Sequence, residues 1–400
     1  MITPDEATKI VLSHPFSPEQ ETISLLLSQG RISAEAIIAD SDLPPFPRVM
    51  MDGVAFAKTY WDLGQRNFDV EAMHRAGDPP LTLQQKNACI EVMTGAVCPS
   101  GCDVVVPYEQ LIIANGKCNV LQNNIELNQH IQKRGSDKKQ NDILVPSGCM
   151  LESPEIGIGA SAGKSEIKVY ALPRVHVFST GEELVDISDT PLPHQIRRSN
   201  VFALQQLLLS QGIISTESHL PDEYDTIYAH VKQALDSHDL VLLTGGVSKG
   251  KFDLIPQVMK DLGVEELFHR IAQKPGKPMW FGATKTTTVF AFPGNPVSTF
   301  MCAVRYLLPW LRLSMTGKMK NNVHAKLGVT YQNKNSVTFF QLVKVNINDR
   351  GELIAEPISN AGSGDFSSIY LADGFLEIPA GASIHEKGAA LPLHLFRSLD

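Results

Sequence analysis

The feature that most constrains the fold is an alternation of strand-like and helix-like segments between about residue 171 and residue 320. Apolar segments such as "RVHVFSTGEELV", "DLVLLTGG" and "TTTVFAFPGNP" alternate with helical segments such as "SNVFALQQLLLSQG" and "DEYDTIYAHVKQALDS". Strands that alternate with helices are typical of a parallel sheet covered on both faces. We therefore predict a doubly wound α/β domain, with "VSTFMCAVRYLLPWLRL" as one long apolar helix near its end.

The flanking regions show other patterns. Residues 5–40 have helical periodicity, and "SPEQETISLLLSQG" predicts a helix capped by Ser17 that stops at Gly30. Short strand-like segments occupy residues 46–140 and the region after residue 321, where they predict a small β-barrel or sandwich. The segment "SPEIGIGASAG" predicts a helix whose glycines serve close packing, because their spacing departs from the dinucleotide fingerprint.

Composition excludes several classes of protein. The net charge of −8 gives no electrostatic basis for nucleic-acid binding. No apolar run approaches the roughly 20 residues that span a bilayer, and the first residues lack the pattern of a signal peptide. Six cysteines are too few for a disulfide scaffold, so we expect a cytoplasmic protein. Cys98 and Cys102 fit a metal or redox pair, but two ordinary cysteines beside a turn is the favoured interpretation.

Three of the predicted strands end in loops that contain glycine, and these loops are the expected place for a ligand. They read "STGEEL" (179–184), "TGGVSKGKFD" (244–253) and "FPGNP" (292–296). Ligands of open α/β sheets bind at the carboxyl ends of the strands. Glycine lets backbone N–H groups approach an anion, and helices that follow such loops favour negative charge at their N-termini. The Walker A pattern is absent, which excludes an ordinary P-loop nucleoside triphosphatase.

Charged residues accompany these glycines. The carboxylates that suit a hard cation such as Mg2+ are Glu182, Glu183 and Asp253. The cations that suit a phosphate or an oxyanion are Arg270, Lys274 and Lys277. A single carboxylate of this kind is more often a helix cap or a solvated group, and Lys249 and Lys251 are more often solvated. Carboxylates and cations together in one glycine-rich cleft predict a metal-assisted phosphate ester site.

An ordered set of motifs resembles the molybdopterin molybdenumtransferase family, known as MoeA and as the E domain of gephyrin. In chain order the motifs are "LPPFPRVMMDGVA", "RAGDPP", "VMTGAVCPSGCDVVVPYE", "KRGSDKKQNDILVPSG", "VHVFSTGEELV", "SN", "LLTGGVSKGKFD", "KPGKP" and "FPGNPVS". Each motif alone is weak, but the ordered set is specific and extends along almost the whole chain.

The resemblance implies a multidomain α/β protein that forms an elongated homodimer, with each active site lined by both chains. Its expected parts are a discontinuous N-terminal domain (1–45 and 141–170), an inserted β-rich domain (46–140), a doubly wound molybdopterin-binding domain (171–320) and a C-terminal β domain (321–400). The implied reaction takes adenylylated molybdopterin and molybdate, uses Mg2+, and releases AMP. A molybdopterin adenylyltransferase and the enzymes that receive the cofactor are the implied partners.

The resemblance also assigns site residues. The implied catalytic residues are Asp52, Thr94, Asp137, Glu183, Asp222 and Asp253, of which Glu183, Asp222 and Asp253 would hold the metal. The implied substrate-binding residues are Gly245, Gly246, Ser248, Arg270, Lys274, Lys277, Pro293, Gly294, Asn295 and Pro296.

Two positions depart from the family pattern. Val49 stands where the family has serine in "SAMDG", so it cannot donate a hydrogen bond. Arg198 stands in "RSN" where the family has an acid, which makes the local site less negative. Two alternative functions stay open on the sequence alone: a molybdopterin adenylyltransferase, whose single domain has the fold expected at 171–320, and a non-catalytic scaffold like the gephyrin E domain.

Overall fold

The computed structural model describes residues 1–247, 254–319, 321–359, 361–381 and 383–399. They group into two compact units. The larger unit contains Met1–Thr22, Gly30–Ile32 and Lys168–Asp400, and the smaller unit contains Ile23–Gln29 and Ser33–Ile167. The finer division into four domains stays a prediction. No helix among these residues is long and apolar enough to cross a membrane.

A six-stranded sheet forms the centre of the larger unit. Its order is Ser215–Leu220, Val175–Thr180, Leu240–Thr244, Thr288–Phe292, Trp280–Ala283 and Glu265–His269. The first four strands are parallel, as the alternation of strands and helices predicts. Trp280–Ala283 is antiparallel to both of its neighbours, Thr288–Phe292 and Glu265–His269, a feature that the sequence analysis missed.

Helices cover both faces of this sheet, which explains why its central strands Leu240–Thr244 and Thr288–Phe292 are buried at every position. Leu240 and Leu242 belong to the buried cluster on one face, and Val241 and Leu243 belong to the cluster on the other. The helices that contribute to the first cluster are Pro4–Leu12, Asn200–Leu209, Pro296–Cys302 and Leu308–Thr316. The helices that contribute to the second are Tyr224–Ser237 and Ile255–Asp261.

The long apolar helix that follows the last parallel strand is interrupted. It consists of Pro296–Cys302, a π-helical turn at Ala303–Leu307 and Leu308–Thr316. Pro309 has no N–H group, so it cannot donate the usual helical hydrogen bond to the carbonyl group four residues before it. The predicted long helix is therefore present, with a π-helical turn that the sequence analysis did not predict.

The C-terminal strands close into a barrel. Thr338–Ile347 pairs with Leu353–Pro357 on one side and with Gly374–Ile378 on the other, and Val323–Leu327 and Ala390–Leu395 complete the circle. Closure removes the exposed edges that an open sheet would have. Of the two predicted architectures, barrel and sandwich, the barrel is thus confirmed. The smaller elements of this region are Gln273–Lys274, Tyr331–Gln332, Ile384–His385 and the 3-10 turn Phe366–Leu371.

The smaller unit is β-rich, as the sequence predicts. Its main sheet has the order Val104–Pro107, Gly53–Phe56, Ala88–Val92, Asn67–His74, Lys117–Val120 and Leu111–Ala114. Its other elements are Leu25–Leu27, Ile37–Ile38, Arg48–Val49, Lys58–Asp62, Tyr108–Gln110, Ile131–Gln132, Ile143–Val145 and the predicted small-residue helix Ser153–Ser161. A Cβ atom at Gly159 of that helix would lie 3.1 Å from a methyl carbon of Leu25, which supports close packing.

The predicted helix after Ser17 does not form. Gln20–Ser24 is a strand, as is Glu166–Tyr170 later in the chain, and only Pro4–Leu12 near the N-terminus is α-helical. Both segments carry helix-start signals: Pro4–Leu12 has a capping box between Thr3 and Glu6 with proline at its first position, and Ser17 is followed by Pro18 and Gln20 at the same spacing. The local start signals therefore do not distinguish the segment that becomes helical from the one that does not. The leucines that suggested a helical face, Leu26 and Leu27, are 82% and 74% exposed.

Candidate active site

A cavity of about 540 Å³ lies at the carboxyl ends of the parallel strands in the larger unit. The strands that end there are Val175–Thr180, Leu240–Thr244 and Thr288–Phe292. The sequence-predicted residues that line this cavity are Glu183, Asp222, Gly245, Gly246, Pro293, Gly294, Asn295 and Pro296. The sheet therefore brings together side chains from all three glycine loops.

The double glycine is required by its surroundings. Gly245 and Gly246 have φ values of +98° and +66°, which favour glycine. A Cβ atom on Gly245 would lie 2.7 Å from the carbonyl oxygen of Thr180, and one on Gly246 would lie 2.8 Å from Cγ1 of Ile255. The turn is thus a tight one that also exposes backbone to the cavity, since both glycines line it.

Asn200 connects two of these loops. Its Nδ2 donates hydrogen bonds to Oγ1 of Thr244 at 2.9 Å and to the carbonyl oxygen of Gly294 at 2.7 Å. Asn200 also begins the helix Asn200–Leu209, whose first N–H groups favour an anion nearby. Although "SN" was noticed as a motif, this bridging role had no signal in the sequence, because its partners are far away in the chain.

Thr180 adds an unsatisfied donor to the cavity wall. Its side chain is 3% exposed, and Oγ1 has no hydrogen-bond partner among the described residues. A buried hydroxyl group without a partner costs about 1–3 kcal/mol. A ligand that accepts this hydrogen bond would remove that cost. The position of Thr180 at the end of a strand and directly before a glycine is the signal that could have identified it.

Two carboxylates line the cavity within the described part of the chain. Glu183 is exposed and Asp222 is half-buried. Glu182 does not line it and instead accepts a long hydrogen bond of 3.3 Å from the backbone N–H of Asp222. Asp253, Ser248 and the two lysines between them lie outside the described residues.

The donor set fits magnesium within limits. The described residues contain no cluster of three or more His, Cys, Asp or Glu side chains arranged for a metal. Mg2+, however, commonly binds one or two protein carboxylates and takes its other ligands from water and substrate phosphates. Glu183 and Asp222, which both line the cavity, supply two such carboxylates.

Two adjacent arginines line the same cavity with different contacts. Arg198 has a side chain that is 15% exposed and forms ion pairs with Asp186 at 2.5 Å and with Glu217 at 2.8 Å. Arg197 is exposed, and its Nε donates to the carbonyl oxygen of Asp189 at 3.1 Å. Two carboxylates balance the charge of Arg198 locally, and the expectation that it makes the site less negative than an acid would stays a prediction.

The predicted cations lie elsewhere. Arg270, Lys274 and Lys277 are not among the residues that line the cavity, although Pro278, next to Lys277, is. Arg270 has a φ of +85° and its N–H group donates to the carbonyl oxygen of Met279. Lys274 and Lys277 are exposed. Their role in binding phosphate or molybdate stays a prediction.

The predicted residues of the smaller unit have hydrogen-bond partners within that unit. The backbone N–H and the hydroxyl group of Thr94 both donate to Oδ1 of Asp52, at 2.6 Å and 2.7 Å. These hydrogen bonds, the backbone one first, hold the pKa of Asp52 below its ordinary value, so the carboxylate is ionised at neutral pH. Asp137 accepts two hydrogen bonds from Nε2 of Gln132, at 2.8 Å and 3.0 Å.

The surroundings of Val49 and of the two spaced cysteines indicate a role in packing. Val49 is buried in the apolar cluster that includes Ile131, so valine suits this position. Sγ of Cys98 lies 3.6 Å from the carbonyl oxygen of Cys102, and burial raises the pKa of Cys98 to about 11. The thiol of Cys98 is therefore protonated at neutral pH, which favours an ordinary cysteine over a reactive one.

A second groove, of about 800 Å³, lies at the opposite, amino ends of the same strands. Its most basic residue, Arg174, forms a bidentate ion pair with Asp239, with Nη2 of the arginine 2.8 Å from the carboxylate. The amino ends of parallel strands are not where open α/β sheets bind ligands. The cavity at the carboxyl ends is therefore the stronger candidate.

Comparisons with known proteins agree with this geometry. Family models match residues 2–163 as the MoeA N-terminal region (domain I and II), 176–313 as a probable molybdopterin binding domain and 324–396 as the MoeA C-terminal region (domain IV).

Relatives and solved structures match along the whole chain. A protein from Synechocystis named molybdopterin molybdenumtransferase is 36% identical, with 98% of this chain and 100% of the relative covered. One of the same name from Bacillus subtilis is 27% identical, with 98% and 94% covered. The crystal structure of a molybdopterin biosynthesis MoeA protein from Pyrococcus horikoshii matches with a TM-score of 0.84 and 28% identity, and the match covers 100% of both chains. This chain belongs to the MoeA family of molybdopterin molybdenumtransferases.

Proposed function

We propose that this chain inserts molybdenum into adenylylated molybdopterin, with release of AMP, as a step in the synthesis of the molybdenum cofactor. The observation that supports this most is the cavity at the carboxyl ends of the strands. It combines the Gly245–Gly246 turn, the unpaired hydroxyl group of Thr180 and the start of a helix with two carboxylates. Hydrogen-bond donors beside carboxylates suit a phosphate ester that binds together with a divalent cation.

Each group in the cavity has a proposed part in breaking the phosphoanhydride bond. The glycine turn and Thr180 bind and orient the phosphates. Glu183 and Asp222 hold Mg2+, with Asp253 as the third acid that the family resemblance supplies. When bound, the metal neutralises negative charge that develops on the phosphate oxygens. Arg270 and Lys274 keep their predicted role as additional cations, supported only by the family resemblance.

A homodimer with composite sites is part of the proposal. The family resemblance assigns Asp52, Thr94 and Asp137 to the reaction, and all three are on the smaller unit. The carboxylate of Asp52, whose pKa is lowered, already accepts two hydrogen bonds from Thr94. We propose that this pair completes the active site of the partner chain. We also propose a cytoplasmic location, where an adenylyltransferase supplies the substrate.

The adenylyltransferase alternative is weaker. The chain has two family regions, at 2–163 and 324–396, in addition to the one predicted to bind molybdopterin. Its similarity to named molybdenumtransferases extends from end to end. A purely scaffolding role is also weaker, because acids line the cavity where a metal-assisted reaction requires them.

A turnover assay tests the proposal. The purified chain is incubated with adenylylated molybdopterin, Mg2+ and molybdate, and AMP is measured together with activation of a molybdenum-free apoenzyme. We expect AMP release that depends on molybdate, and an active apoenzyme. In a parallel incubation with ATP, Mg2+ and molybdopterin, transfer of AMP from ATP to molybdopterin with release of pyrophosphate would instead support the adenylyltransferase, and the absence of both reactions would favour the scaffold.

A further inference from the structure

Two adjacent arginines reach the wall of the cavity, yet only one of them has its charge balanced. Arg198 lies between Asp186 and Glu217, with donor–acceptor distances of 2.5 Å and 2.8 Å. Asp186 also accepts hydrogen bonds from the N–H and hydroxyl groups of Ser188. The Ser188 N–H and then Arg198 lower the pKa of Asp186 to about 2, so the carboxylate stays charged at any physiological pH. Two carboxylates therefore already balance the charge of Arg198.

The contacts of Arg198 span a whole segment. Asp186 lies at the beginning of the segment 184–198, Arg198 lies at its end, and Glu217 belongs to the edge strand Ser215–Leu220. The base of the segment is closed by a backbone hydrogen bond from Ile196 to Glu183 at 2.8 Å and by one from Arg198 to Val185 at 3.1 Å. Through its two ion pairs, Arg198 therefore connects the beginning and the end of the segment with the edge strand of the sheet.

Arg197 is placed differently. Its side chain is exposed and lines the cavity, and its Nε is oriented by the carbonyl oxygen of Asp189. No ion pair involves it among the described residues, whereas the other lining arginine has two. A guanidinium group that is held through Nε keeps its Nη donors for a planar, bidentate contact, which is the geometry that phosphate accepts.

We propose that Arg197 binds a phosphate group of the adenylylated substrate, and that Arg198 is a positioning residue that holds the 184–198 segment in place. The inference rests on the proposed function, because it names a contact within the same site. It also explains the pair of arginines at the beginning of the "RSN" motif: one cation is used for structure and the other for the ligand. The other charged residues that line the cavity are the acids Glu183 and Asp222, so the two arginines are its lining cations among the described residues.

The test is a calorimetric titration with AMP in the presence of Mg2+. Arg197→Gln should weaken AMP binding by roughly tenfold, since charge-assisted hydrogen bonds are about twice as strong as neutral ones. Arg197→Lys should have an intermediate effect, because lysine keeps the charge but loses the bidentate geometry. The affinity of the wild type should fall more steeply with salt than that of Arg197→Gln. Lys285→Gln, which removes an exposed cation beside the opposite groove, is the matched control and should bind AMP normally.

Arg198 requires a different measurement. Arg198→Gln should expose the 184–198 segment to a protease while the remainder of the chain stays resistant, and Arg198→Lys should restore part of the protection. Equal AMP affinity for Arg197→Gln and the wild type would overturn the inference and leave the proposed function intact. If the wild type binds no AMP in this titration and releases none in the turnover assay, the proposed function fails, and the inference fails with it.

Discussion

The cavity of the larger unit and the Asp52–Thr94 pair of the smaller unit represent two ways of placing polar groups. In the cavity, the carboxyl ends of three buried strands fix the loops, and tight glycine turns bring backbone groups to the wall. Asp52 and Thr94 are exposed and depend on two short hydrogen bonds between neighbouring loops. Substrate binding should therefore be sensitive to small changes in the cavity. The proposed contribution of Asp52 should instead change gradually with its hydrogen bonds to the single side chain of Thr94.

The largest effect is expected from crowding the glycine turn. Gly245→Val would place side-chain atoms against the carbonyl oxygen of Thr180, at a φ that valine avoids. We expect AMP release to fall roughly 100-fold or more, since binding groups displaced by about 1 Å cost this much. Gly263→Ala is the matched control, because its φ is +74° but no atom lies within 4 Å of the added carbon. Equal losses in both variants would mean that backbone strain alone explains the effect.

A complementation experiment tests how the two regions combine. Glu183→Ala and Asp52→Ala should each lower AMP release roughly 100-fold, the size expected for removing one preorganised charged group. When the two variants are combined in equal amounts and their subunits exchange at random, half of the dimers contain one copy of each variant. Each of these dimers would have one intact composite site out of two. The mixture should therefore recover about a quarter of wild-type activity if the sites are shared across the dimer. No recovery on mixing would contradict composite sites.

A smaller effect is expected from the hydroxyl group of Thr94. Because this hydroxyl lowers the pKa of Asp52, Thr94→Val should raise that pKa toward its ordinary value. A carboxylate with a lowered pKa loses its charge only as pH falls through that low value. The acidic limb of the pH–activity profile should therefore move to higher pH in Thr94→Val and stay in place in Thr94→Ser. An unchanged limb in Thr94→Val would remove Asp52 from the titration that controls activity.

The smallest effect is expected at the spaced cysteines. Burial raises the pKa of Cys98 to about 11, so the thiol should react slowly with iodoacetamide at neutral pH. Cys98→Ser should keep AMP release within about twofold of the wild type, because substitutions away from functional groups are usually mild. A rapid reaction with loss of activity would show that the smaller unit uses its thiols.

The sequence predicted the parts of the fold that depend on local patterns. The strand–helix alternation and the glycine loops at 179–184, 244–253 and 292–296 were sufficient to place the sheet and the cavity at its edge. The strand Trp280–Ala283 and the edge strand Glu265–His269 beside it were missed, because their direction depends on their pairing within the sheet and not on their own pattern. Barrel closure was undecided for the same reason.

The types of residue that line the cavity could be predicted more readily than the contacts between them. Glu183 and the two glycines were found because they follow strands, whereas Asp222 came only from the family resemblance; all four line the cavity. Gly364 lines the cavity although it lies in the C-terminal part of the chain, where no local motif marks it. The ion pairs of Arg198 could not be predicted, because Glu217 belongs to another strand whose register only the folded sheet determines.

The central claim is that the cavity at the carboxyl ends of the strands binds the phosphates of the substrate. A crystal structure of the chain with AMP and Mg2+ tests this claim most directly. The account predicts that the phosphate lies against the Gly245–Gly246 turn, with Thr180 and Arg197 as donors and the metal beside Glu183 and Asp222. A phosphate bound in the groove near Arg174, at the opposite end of the sheet, would contradict the account.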